Sequence, residues 1–214
     1  MYAPPALFAA RVAHQEGGRV AKETAQRLGY EGLHEIKEWL EATTRFAFTY
    51  TVWDSESMCT RACPNGTKKT LDLEGNTVGK PGDRPRPVSV ECKKYTTVGG
   101  QADAYREFLA VAYASTVHTM GTMGQDEERD FLWVTYHPFS QTKWSKLLTL
   151  KHLRGCVQQY DSLLDGTDID DDVLALVATR ISVMVVGQRQ VDLRLSKDEA
   201  GLALLHLRKE GYRA

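Results

Sequence analysis

Hydrophobic and polar positions change period several times along this chain, and each change marks an element. An apolar stripe at helical spacing runs over about Arg19 to Leu28 and stops at Gly29 and Gly32. Leu33, Ile36, Trp39 and Leu40 resume it, predicting a helix to about Thr44. Phe46, Phe48, Tyr50 and Val52 then alternate with Ala47, Thr49 and Thr51, the period-two signature of a strand. In Thr70 to Glu74 the two leucines are expected on one face, with Thr70, Asp72 and Glu74 on the other. Val88, Val90 and Cys92 alternate with Ser89, Glu91 and Lys93 in the same way. Tyr105, Phe108, Leu109, Ala112 and Tyr113 share one face of a helix over Gln101 to His118. Phe131 to Tyr136 is apolar without alternation, as expected of a strand buried on both faces.

The last third carries a helix after Ser140 through Trp144, Leu147, Leu148 and Leu150, with Ser140 as its expected N-cap. Gly155 to Leu164 is expected to be helical, and the acids from Asp165 to Asp172 mark a helix start. Ile181 to Val186 and Gln190 to Leu195, on either side of Gly187, read as a hairpin, and Ser196 caps a final helix. The acidic run is no EF-hand loop, because it lacks the glycine and the distal glutamate that such a loop needs.

The pattern has a chemical consequence. A tight turn over Gly79 to Gly82 would fold the Thr70 and Val88 strands into a hairpin that sets Asp72 roughly opposite Glu91. Glu91 and Lys93, two residues apart, emerge on one face of their strand. Two carboxylates and an ammonium then meet on one patch, and carboxylates so placed are hard oxygen ligands for Mg²⁺. Two other aspartates compete. Asp54 ends the Phe46 strand and reaches the patch from a neighbour, whereas Asp83 lies among prolines that cannot donate to a sheet ladder. Asp72 is preferred to Asp54.

Asp72, then Glu91-Cys92-Lys93, then Gln101 and Tyr105 opening a helix, resembles the PD-(D/E)XK nuclease superfamily in its Mrr-like restriction endonuclease and Holliday-junction resolvase branch. Glu35 in Gly32-Leu33-His34-Glu35 resembles the acid on the first helix of that branch. The likeness covers about residues 30 to 140. It implies an α/β fold with a restriction-endonuclease-like αβββαβ core on a central mixed sheet. The expected division is a helical segment over 1–29, the core over 30–154 and a C-terminal α+β accessory lobe over 155–214. The implied activity is Mg²⁺-dependent cleavage of DNA, with Mn²⁺ able to substitute, in restriction or anti-phage defence. By analogy the backbone carbonyl of Cys92 joins Asp72 and Glu91 as a metal ligand. Lys93 orients the attacking water, Gln101 bonds Lys93 or the phosphate, Glu35 completes an outer shell and Tyr105 buttresses Gln101. The rival readings are a subunit active only inside a larger nucleic-acid complex and a catalytically silent DNA-binding scaffold.

Composition adds bounds. A formal net charge of -1 gives no global basic field, yet Lys68, Lys69, Lys80, Arg84, Arg86, Lys93 and Lys94 crowd around the proposed acids. Cys59 and Cys63 have the spacing of half a zinc site without a matching second pair, and Cys92 sits in a strand pattern as a small core residue. The four cysteines are too few for a disulfide framework in a chain of this length. With no signal peptide pattern and no apolar stretch of membrane-spanning length, the expectation is a cytoplasmic protein without a membrane partner. A homodimer or a partner subunit is expected for cutting both strands.

Overall fold

The computed structural model describes residues 29–78, 84–93 and 100–211. The expected helix over 19–28, the 1–29 segment, Asp83, Lys80 and Lys94 lie wholly or almost wholly outside the described residues.

The architecture is α/β, with a central five-stranded mixed sheet between helical layers. Helix α1 (29–43) leads into β1 (Phe46–Thr51). A one-turn helix α2 (Glu56–Cys59) and a two-stranded ribbon, β2 (Thr60–Ala62) with β3 (Lys68–Thr70), precede β4 (Leu73–Thr77). Next come β5 (Pro87–Lys93), the long helix α3 (Gln101–Met123) and β6 (Asp130–Thr135). Helices α4 (Leu150–Gln159) and α5 (Asp171–Ala178) lead to β7 (Ile181–Val185), followed by α6 (Gln188–Asp192) and α7 (Lys197–Gly211). The sheet runs β1-β4-β5-β6-β7, antiparallel as far as β5 and parallel across β5, β6 and β7.

Alternation along the strands sorts the core into two clusters. Val88, Val90, Leu132 and Val134 meet Leu33, Ile36 and Leu40 of α1. Phe131 and Trp133 point to the opposite face, against Tyr105, Phe108 and Leu109 of α3, which α4 and α5 cover in turn. The continuous apolar run of β6 is thus buried on both sides, as its composition requires.

Four expectations give way. Leu71 and Leu73 do not share a face: the chain leaves the ladder at Leu71, which joins the α3 cluster while Leu73 joins the α1 cluster. A bulge between Phe48 and Tyr50 flips the β1 alternation, so Thr51 rather than Val52 is fully buried. Ser140 adopts a left-handed conformation (φ 48°) and makes no side-chain cap; a 3₁₀ turn, Gln141–Lys146, follows it, and Thr149 caps α4 by accepting from the His152 N–H. Gln190 to Leu195 forms no strand: the Gly187 N–H donates to Gln190 Oε1 at 2.6 Å at the start of α6. Residues 155–214, expected as an accessory lobe packed on the core, include β7, which pairs with β6 as the last strand of the sheet.

The acidic run does start a helix: Asp170 Oδ1 accepts from the N–H groups of Asp172 and Val173 at the head of α5. Ser196 and Glu199 likewise exchange side-chain and backbone bonds at the head of α7. Cys59 and Cys63 are fully buried free thiols, each pushed up to about 11 by burial.

Gly75 fixes how β4 meets β1. A Cβ there would lie 2.1 Å from the Ala47 carbonyl oxygen and 2.7 Å from Phe48 Cα, both backbone atoms that cannot step aside. Gly75→Ala should therefore lower the urea-unfolding free energy by about 2–3 kcal/mol or more. A variant within a few tenths of a kcal/mol of the parent would show that the β1–β4 spacing is slack.

Candidate active site

The β4–β5 ladder pairs Leu73 with Val90, and the register carried one step on sets Asp72 across from Glu91. Backbone bonds hold that step: the Asp72 N–H donates to the Val90 carbonyl at 2.8 Å, and the Val52 N–H donates to the Asp72 carbonyl at 2.9 Å. Asp72 Oδ2 accepts from the Cys92 N–H at 2.7 Å, which fixes its carboxylate against the end of β5. Glu91 is 7% exposed, and its Oε1 accepts from Lys93 Nζ at 2.5 Å. Strand pleat explains the pairing, since residues two apart share a face.

This corner lies where β5 and β6 end, β4 begins and β1 runs out. A cleft of about 200 Å³ opens there, with Asp72, Cys92 and Lys93 on one wall and Gly32, Trp53 and Tyr136 on others. Crevices at the carboxyl ends of parallel strands are where α/β sheets take their ligands.

Electrostatics are unusual in one respect. Burial, then the neighbouring Asp72, pushes the Glu91 carboxyl up to about 7, with Lys93 and Lys69 pulling the other way. Burial also raises Asp72, against the Cys92 N–H, Lys93 and Lys69. Glu91 Oε2 is buried and accepts no hydrogen bond among the described residues. Two clustered acids that resist ionising, one with an oxygen lacking a donor, form a donor set that a hard divalent cation would satisfy. Asp72 and Glu91 fit that role as oxygen ligands. Among the described residues no group of three or more His, Cys, Asp or Glu is placed to hold a metal.

The other expected residues fall at graded distances from this pair. Gln101, 3% exposed at the head of α3, accepts from the Thr135 hydroxyl at 3.0 Å rather than bonding Lys93. Thr135 is the register partner of Lys93, so Gln101 stands beside the pair through it. Tyr105 does not buttress Gln101. Its hydroxyl donates to the Leu147 carbonyl at 3.2 Å, and its ring packs on Trp133 and Phe139 in the core. Glu35 does not line the cleft; it acts through space on Tyr136, whose phenol burial and Glu35 together push up to about 12. Asp54 is exposed and accepts from the Thr51 N–H at 3.0 Å, a turn role that holds its carboxyl below the usual range.

Lys69, one of the basic residues expected around the acids, pairs with Glu107 at 2.9 Å and adds positive field to both of them. Pattern reasoning missed one feature. Farther along the same face, Glu74 accepts from Ser89 at 2.7 Å and pairs with Arg129 and Arg61, an internally neutralised cluster. Nothing in the local sequence announces Arg129 as its partner.

No known protein family, curated protein or solved structure matches this chain. Among the described residues no helix is long and apolar enough to cross a membrane.

A carboxyl held above its unfolded value binds its proton more tightly when folded. It therefore stabilises the fold fully below the ordinary value of 4.5, and that contribution is lost as pH rises through about 7. Urea unfolding should show stability falling by on the order of 2–3 kcal/mol between about pH 5 and pH 8 from this source. Glu91→Gln should remove that component. Comparing the two slopes isolates it, because burial lowers His152 and tilts the same range the other way. Parallel slopes would acquit Glu91.

Proposed function

We propose that this protein is a metal-dependent endonuclease acting on DNA, built on a restriction-endonuclease-like core. The observation that carries the reading is the Asp72–Glu91 pair: two acids set against each other by strand register, with Lys93 bound to Glu91 at 2.5 Å. The succession α1, β1, β4, β5, α3, β6 supports it, as does the parallel pairing of β5 with β6.

Mg²⁺, or Mn²⁺ in its place, held by Asp72, Glu91 and the Cys92 carbonyl, would supply a Lewis acid that acidifies water and offsets charge on the scissile phosphate. The remaining work falls to the chain's own groups. The Cys92 N–H orients the Asp72 carboxylate, so that ligand need not reorganise. Lys93 holds its ammonium where negative charge develops, and Glu91 keeps that ammonium in place. Lys69 adds a second positive charge whose field reaches both acids. Gln101 and Thr135 brace the strand end beside Lys93. A homodimer, or a partner subunit, would present two such sites to the two strands of a duplex. Restriction or anti-phage defence is the setting that the resemblance suggests.

Purified protein should cut plasmid DNA with Mg²⁺ or Mn²⁺ and stop in EDTA. Asp72→Asn keeps the acceptor for the Cys92 N–H while removing the charge, so it should abolish cleavage and leave DNA binding and Tm nearly unchanged. Asp54→Asn should still cut. The opposite pattern would transfer the role to Asp54, and cleavage undiminished in EDTA would sink the mechanism. DNA binding with no cleavage under either metal would favour a silent scaffold or a subunit that needs its partners.

A further inference from the structure

A second cleft, of about 430 Å³, lies at the same end of the sheet on its opposite face, between the head of α3, the 3₁₀ turn Gln141–Lys146 and the first turns of α4. Its walls carry Arg106, Lys143, Lys146 and Lys151, and no Asp or Glu lines it. Arg106 pairs with Asp103. The three lysines make no ion pair among the described residues, and all are exposed. Their arrangement follows from local structure. Side chains three apart eclipse in a 3₁₀ helix, so Lys143 and Lys146 stand in a row, and Lys151 continues the cationic wall from the first turn of α4. The field reaches the floor: burial, with Arg106 and Lys143, holds the His152 imidazole below its ordinary pKa.

This cleft is joined to the candidate active site by a short strip of structure. Ala102 lines it, the adjacent Gln101 bonds Thr135 at 3.0 Å, and Thr135 is paired in register with Lys93. A row of cations without carboxylates suits a polymer with regularly spaced negative charges better than a single small anion. We propose that Lys143, Lys146 and Lys151 bind the phosphodiester backbone of the nucleic-acid strand that passes through the Asp72–Glu91 site. The identity of that strand rests on the nuclease reading; the anion-binding role of the cleft rests on its own charges.

The test is fluorescence anisotropy with labelled single-stranded and duplex DNA oligonucleotides, in EDTA so that no cleavage intervenes, over a range of salt. Lys143→Ala/Lys146→Ala/Lys151→Ala should weaken binding about tenfold or more near physiological salt. It should also reduce the slope of log K against log[salt] by about 2–3, the share of three phosphate contacts. Replacing the same three lysines by arginine should restore the slope, which separates charge from any packing effect. Lys37→Ala, on α1 across the sheet, should change little. Wild-type affinity and slope in the triple alanine variant would overturn the proposal, as would an equal loss in Lys37→Ala. If the wild type binds neither oligonucleotide but inorganic phosphate raises its Tm and not that of the triple variant, the occupant is a small phosphate and the backbone assignment falls. Cleft-dependent binding without cleavage in Mg²⁺ or Mn²⁺ would defeat the nuclease reading and leave this cleft as a nucleic-acid site.

Discussion

The register between β4 and β5 is the constraint on which the rest depends. Leu73, Val88 and Val90 all bury against α1, and a slip of one residue would turn each of them to the other side of the sheet. The cost of exposing those apolar groups locks the pairing. Once locked, it leaves Ser89 and Glu91 no choice but the opposite face and brings Asp72 to the end of β5. The acids are buried because their apolar neighbours must be. Gly75 serves the same end, since only the absence of a Cβ lets β1 approach β4 beside that ladder.

Two acidic positions on this hairpin show how differently buried charge can be settled. Glu74 meets Arg129, Arg61 and the Ser89 hydroxyl, so its charge is answered within the protein. Arg61, buried and beside a second arginine, is held below its ordinary range. Among the described residues, Asp72 and Glu91 have one directly bound lysine between them, the more distant field of Lys69 and a Glu91 oxygen with no donor. A structural role would be served by the first arrangement. The second leaves two buried acids short of compensation, with Asp72 on the wall of a cleft, a condition under which a cation from solution would gain by binding.

Much of this was legible in the sequence, and the reasons are local. Period-two alternation in Val88 to Lys93 dictated which side chains share a face, and the hairpin register followed from the spacing. The unbroken apolar run of Phe131 to Tyr136 marked a strand covered on both sides. What escaped depended on contacts between distant segments. The bulge at Phe48/Tyr50 and the break at Leu71 are set by strand neighbours, and no alternation pattern encodes them. Gln190 to Leu195 has strand-like alternation, yet the Gly187 N–H donates to the Gln190 side chain and a short helix over Gln188–Asp192 takes the place of a strand. Tyr105 had helical spacing suited to either a site or a core, and the ring cluster of Trp133 and Phe139 claimed it for the core.

The C-terminal third bears on function because it is part of the sheet. β7 pairs with β6 from Phe131–Ile181 to Thr135–Val185, and Val186 and Val191 bury in the α1 cluster. Removing it would strip the cover from β6 and expose an edge in the middle of the core. The same segment supplies α4, which Leu153, Cys156 and Val157 anchor to the core cluster of α3. Lys151 and His152 therefore stand on a helix packed into the same core cluster as α3, which begins at Gln101. A polymer bound across the cationic cleft and the acidic pair would meet two surfaces already in place, and the ordering cost that weakens binding by mobile segments would be largely avoided.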